Sequence, residues 1–117
     1  MQTNFIANEA VASVSARTLD VLDPSDGRVF DQLQRSDARD VEAAVHAARR
    51  CFETLWRPMA PADRGRLLLR LSHAVTAHAD VLAALEQRDC GKPVRQARAD
   101  AQALARYFEF YAGACDK

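Results

Sequence analysis

The chain has 117 residues, 49% of them hydrophobic and 27% charged, the proportions of an ordinary globular protein rather than a disordered one. Lys plus Arg and Asp plus Glu number 16 each, for a formal net charge of zero, so there is no basic excess to neutralise nucleic-acid phosphates. No apolar run has the length needed to span a bilayer, which argues against a membrane partner.

The N-terminal third reads as β structure. Phe5-Ile6-Ala7-Asn8-Glu9-Ala10-Val11 fits a strand, a turn and a second strand. Val14-Ser15-Ala16 resembles a small-residue cleavage site, but no Lys or Arg precedes it and Asn8-Glu9 interrupts the apolar stretch. A signal peptide is therefore not expected. Thr18 to Asp23 alternates loosely and halts at Pro24. Asp23-Pro24-Ser25-Asp26-Gly27 is a turn, because proline presets one φ and glycine accepts a positive one. Arg28 to Gln34 resumes the strand pattern. Residues 1–35 are thus expected to form a small antiparallel β ribbon.

From Asp37 the period becomes helical. Val41, Ala44, Val45, Ala48, Phe52 and Leu55 recur at steps of three and four, which places them on one face. Asp37 suits the N-cap and Asp40 the first turn. Trp56, Arg57 and Pro58 are expected to end this helix. Its stripe needs a partner surface. Pro61 opens a second helix at a position where its missing N–H costs nothing. The expected apolar face there is Leu67, Leu68, Leu71, Ala74 and Val75. The phase changes near His78, and Asp80 opens a third helix carrying Leu82 and Leu85. Gly91, Lys92 and Pro93 stop it. A fourth helix runs from about Val94. Its aromatic residues Tyr107, Phe108, Phe110 and Tyr111 span more than one packing face, which implies a helix covered on several sides. The expected fold class is α+β, a β ribbon followed by four helices, with the helical layer covering residues 36–117.

Few side chains here can do chemistry. Cys51, Cys90 and Cys115 are odd in number and widely spaced. That pattern is neither a disulfide framework nor a zinc site, and it fits a reducing, cytoplasmic setting. Cys51 lies beside the first helix's stripe, where a buried thiol is inert. Cys90 ends a helix and Cys115 adjoins Asp116, so both surroundings disfavour a thiolate. His73 and His78 are five apart rather than four, and His46 is remote, so no helical zinc pair exists. The glycines (Gly27, Gly65, Gly91, Gly113) are scattered, with no phosphate-cradling motif. Asp89 stands at a helix C-terminus, where a carboxylate needs compensation. Arg88, Lys92, the backbone of the Gly91 turn or a bound cation could each supply it.

Several pieces, in order, resemble the N-terminal segment of the NAD(P)-dependent aldehyde dehydrogenase superfamily. They are Phe5-Ile6-Ala7-Asn8-Glu9; Leu22-Asp23-Pro24 with Asp26-Gly27; Asp40-Val41 through Phe52; Trp56; Arg64 with Leu68; Leu82, Leu85, Glu86, Asp89 and Gly91-Lys92-Pro93; and Tyr111-Ala112-Gly113 with Asp116-Lys117. Asp23 stands where the family usually has Asn. The resemblance implies that this segment is a ribbon and helix layer of an α/β aldehyde dehydrogenase fold, packed beside a dinucleotide-binding domain. It implies NAD or NADP as cofactor, the remainder of that fold as partner, and a homo-oligomer for the intact enzyme. The family's nucleophilic cysteine, general-base glutamate and cofactor sheet all lie downstream, so no catalytic or cofactor-binding residue is expected here. Two sets of positions carry over from relatives. One is a monovalent cation, K+ or Na+, at Asp89 and the backbone carbonyls of Val21 and Leu22. The other is a substrate-tunnel wall at Asp100, Ala103 and Tyr107, with plain packing as the alternative for Tyr107. The chain alone is expected to be inactive. The competing reading is a small stand-alone helical module that binds a protein through its aromatic fourth helix.

Overall fold

A computed structural model describes all 117 residues. They separate into two compact units, Met1–Pro58 and Met59–Lys117.

In the first unit, β1 (Asn4–Ile6) and β2 (Glu9–Val11) form an antiparallel hairpin with Asn4 opposite Val11. Ala7 and Asn8 make its two-residue turn with φ of 54° and 68°, the pairing of positive φ values whose twist matches a hairpin. A second hairpin joins β3 (Thr18–Leu22) to β4 (Val29–Gln34). Its register shifts between Val21, opposite Asp31, and Leu22, opposite Val29. The expected ribbon is therefore two separate two-stranded sheets. The turn at residues 23–27 is built as its sequence suggests. The Asp23 carboxylate accepts from the Ser25 N–H at 2.9 Å and the Ser25 hydroxyl at 2.6 Å, and the Gly27 N–H donates to the Asp23 carbonyl at 2.8 Å.

The helix α1 (Ala38–Cys51) starts in a capping box. Asp37 accepts from the Arg39 N–H at 2.9 Å, and Asp40 accepts from the Asp37 N–H at 2.9 Å, so two orphan donors are satisfied reciprocally. Regular α geometry ends at Cys51, earlier than the expected stop near Trp56. A π-helical turn, Phe52–Trp56, carries the chain on. Its Thr54 hydroxyl donates to the Arg50 carbonyl at 2.7 Å, back-bonding of the kind that perturbs the regular ladder.

The second unit holds α2 (Pro61–Ala77), α3 (Ala79–Cys90) and α4 (Val94–Ala112). Pro61 occupies the first turn of α2 as expected. Helix α4 is the hub: it packs on both α2 and α3, which barely touch each other. Of the face expected on α2, Val75 is buried and Leu68 half-buried, but the covered face is centred elsewhere. Gly65, Ser72 and Val75 are buried, whereas Leu67, Leu71 and Ala74 are exposed. Small residues win because they let two helix backbones approach. A Cβ on Gly65 would lie 2.6 Å from the Ala112 carbonyl oxygen, and the Ser72 hydroxyl donates to the Ala105 carbonyl at 2.8 Å. The facing residues of α4 are likewise small: Ala97, Ala101 and Ala105 are its buried positions.

The buried apolar residues of the whole chain are Val75 and four alanines. Large apolar side chains stay at the surface, among them Val41, Val45, Phe52 and Leu55 of the first stripe, each more than half exposed. The accessible surface is 8852 Å2. A compact monomer of 12.9 kDa exposes about 6,300 Å2, and even two separately folded halves expose about 7,600 Å2 together. The exposed valines, leucines and aromatic residues contribute to the chain's accessible surface.

Candidate functional site

The densest polar arrangement in the second unit is the corner between α3 and α4. Gly91 takes a left-handed φ of 68° and its N–H donates to the Gln87 carbonyl at 2.9 Å, closing α3. Glycine alone adopts that conformation without steric cost. Pro93 then caps α4. Between them, the Lys92 ammonium donates to Glu86 Oε1 on α3 and to Asp100 Oδ2 on α4, the latter at 2.7 Å. Gln96 Nε2 donates to the other Asp100 oxygen at 2.9 Å. The hydrogen bond from Lys92, with a smaller one from Gln96, holds the Asp100 carboxyl below the usual range. Asp100 first, then Glu86, raise the Lys92 amine above its ordinary value. The arrangement is an ion cluster that ties the two helices together.

The positions expected to line a tunnel are divided by this arrangement. Asp100 turns to Lys92. Ala103 and Tyr107 instead line an open concavity on α4 together with Arg106, Phe110 and Tyr111. Phe110 and Tyr111 meet edge to face, with ring centroids 5.3 Å apart. Tyr107, Phe110 and Tyr111 are all more than half exposed, so the wall is apolar, aromatic and open.

The expected cation positions lie on separate elements. Val21 and Leu22 flank the register shift of β3, and Asp89 is exposed in the last turn of α3. Lys92, one of the groups expected to balance Asp89, bonds to Glu86 and Asp100 instead. No cluster of three His, Cys, Asp or Glu side chains gathers anywhere in the chain.

The thiols are free. Cys51, expected to be buried, is exposed, because the stripe beside it is itself uncovered. Cys90 Sγ donates to the Glu86 carbonyl at 2.9 Å and Cys115 Sγ to the Tyr111 carbonyl at 3.3 Å. Both thiols occupy the back-bonding position of a helix end. His46 lies 3.7 Å from Glu42, and His78 Nδ1 lies 2.8 Å from the Ala74 carbonyl.

One polar centre went unread in the sequence. Asp40 is buried in the first unit and accepts three hydrogen bonds: from the Asp37 N–H, from the Ser13 hydroxyl at 2.7 Å and from the Val14 N–H at 3.1 Å. These donors, the Asp37 amide foremost, keep its carboxyl below the ordinary value. The spacing of Asp37 and Asp40 signals a capping box. Ser13, 27 residues upstream, carries no local signal at all.

With the geometry in hand, the chain can be set beside known proteins. Its two hairpins and its alanine-cored helices match the N-terminal part of a larger enzyme fold. A crystal structure from Burkholderia cenocepacia, 54% identical, superposes with a TM-score of 0.95 over 97% of this chain and 24% of its own. The betaine aldehyde dehydrogenase of Staphylococcus aureus, solved with NAD+, superposes with the same TM-score at 31% identity, over 99% of this chain and 24% of that one. The aldehyde dehydrogenase of Davidiella tassiana is 39% identical over 113 residues, 97% of this chain and 23% of that protein. The profile of the aldehyde dehydrogenase family matches residues 11–117, and the chain belongs to that family. It spans about a quarter of the length of these relatives.

Proposed function

We propose that this chain supplies the N-terminal layer of an enzyme that oxidises an aldehyde to a carboxylic acid with NAD or NADP. The single observation that carries the reading is the superposition at 54% identity onto a quarter of a much longer structure. The betaine aldehyde dehydrogenase relative was solved with NAD+, which supports the nucleotide as cofactor. The residues of this chain contribute no nucleotide cradle, since Gly27, Gly65, Gly91 and Gly113 stand far apart in sequence. The remaining partner is the rest of the family fold, against which the exposed Val41, Val45, Phe52 and Leu55 stripe would lie, and the intact enzyme would be a homo-oligomer.

In that setting Ala103 and Tyr107, with the aromatic group beside them, form part of the wall met by the aldehyde's organic portion. Asp100, the third position of that wall, also bonds to Lys92 and Gln96. A monovalent cation at Asp89 and at the carbonyls of Val21 and Leu22 rests on the family resemblance. A cytoplasmic location is supported by the three free thiols. No helix is long and apolar enough to cross a membrane.

A chimera tests the reading. This chain replaces the matching segment of the NAD-dependent aldehyde dehydrogenase of Sinorhizobium meliloti, a structure on which it superposes with a TM-score of 0.91. The chimera is expected to form NADH from aldehyde and NAD+, and the chain alone to form none. Enzyme-like turnover by the chain alone, or a well-folded chimera that stays inactive, contradicts the proposal.

A further inference from the structure

We propose that Lys92 is a clasp residue that fixes the angle at which α4 leaves α3 and so positions the Ala103–Tyr107 face of α4. The clasp itself is internal to this chain; the meaning of that face for substrate rests on the function proposed above.

The link between the two helices is only Gly91, Lys92 and Pro93. Its flanking residues are conformationally committed, Gly91 to the left-handed region and Pro93 to φ −54° and ψ 133°. Lys92 then reaches back with one ammonium to both helices, to Glu86 and to Asp100. The apolar contact between α3 and α4 does not set their rotation by itself. Ala83 on α3 and Ala97 on α4 are almost completely buried, at 1% and 0% exposure. Alanine has no long side chain to interdigitate, so this contact supplies little ridge-into-groove register of its own. The Lys92 ammonium, bonded to a carboxylate on each helix, supplies one.

A second ion pair between the same helices provides the comparison. Arg98 Nε lies 3.0 Å from Asp80 Oδ1, but these side chains are 60% and 82% exposed. Solvent screens such a pair, and it contributes little. The clasp is better shielded, with Lys92 at 29%, Glu86 at 33% and Asp100 at 41%. It also carries the Gln96 bond on its far oxygen. The other charges near the corner are Arg88 and Asp89 on α3 and Arg95 and Arg98 on α4. Removing the ammonium leaves Glu86 and Asp100 drawn to one point with no cation between them, and the corner is pushed open.

The experiment uses the 117-residue chain and three variants, Lys92→Met, Lys92→Arg and Arg98→Met. The Asp100 carboxyl is titrated by carbon NMR, and amide exchange is followed at Gln96 and Ala97, whose N–H groups bond to the Pro93 carbonyl at 2.9 and 3.0 Å. In Lys92→Met the Asp100 titration is expected to move up toward the ordinary aspartate range. Exchange at the two amides is expected to quicken by about tenfold, the response of a locally opened segment. Lys92→Arg restores both, and Arg98→Met changes neither. Unmoved readouts in Lys92→Met, or equal changes in Arg98→Met, overturn the proposal. If Lys92→Met does not fold, Asp100→Asn takes its place: the same two amides must exchange faster, and unchanged exchange overturns the clasp. Neither readout involves an aldehyde or a nucleotide, so an inactive chimera and a failed clasp remain separate results.

Discussion

At the scale of single residues, Asp40 shows how a carboxylate can be kept charged inside a small unit. Its three donors come from the helix it starts and from a loop 27 residues upstream. Ser13→Ala removes the hydroxyl donor from a buried anion, and a hydrogen bond to a charged group is worth about 1.5–3 kcal/mol. A thermal or urea melt of the first unit is expected to show a loss of that order. The sign of the pH dependence follows from the depressed carboxyl. Stability from this site is complete above the unfolded aspartate value of about 3.9 and is lost as pH falls through the lower folded value. Ser13→Ala should move the acid transition of the first unit to higher pH, which circular dichroism against pH would record. An unshifted transition would mean that Ser13 does not hold the anion.

At the scale of elements, α2 and α4 pack through small residues, and Gly65 marks their nearest approach. Gly65→Ala has two opposed effects. Alanine favours the helix over glycine by about 1 kcal/mol. Against that, its Cβ would sit 2.6 Å from a backbone oxygen of α4, which cannot move without shifting the helix, and overpacking costs about 1–3 kcal/mol. The clash wins, so the variant should melt at lower temperature than the parent. A higher melting temperature would show that the two helices are not locked there. This contact also explains what the sequence could and could not convey. Elements were legible because their punctuation is local: the Asp37 cap, Pro61 at a first turn, and the Gly91-Lys92-Pro93 stop. The covered face of α2 was not, because hydrophobic periodicity picks out Leu67 and Leu71 while the close crossing selects Gly65 and Ser72. Of the candidate site, Ala103 and Tyr107 rest on the family resemblance, and the tie between Lys92, Glu86 and Asp100 has no local signal because it depends on how a turn folds back.

At the scale of the whole molecule, the apolar residues left outside match the expectation that the first helix's stripe needs a partner surface. They are apolar by pattern and open to water. Burying a large aliphatic or aromatic side chain contributes about 1.5–3 kcal/mol, and Val41, Val45, Phe52 and Leu55 are each more than half exposed. A family relationship extending over about four times this length accounts for such surface directly. The decisive measurement is fluorescence of a dye specific for exposed apolar surface, read on the chain alone and after adding the rest of the Sinorhizobium meliloti relative as a separate polypeptide. Strong dye binding by the chain is expected, with a stoichiometric fall on mixing. A chain that binds no dye and ignores the added polypeptide would overturn this, and would favour a self-sufficient helical module.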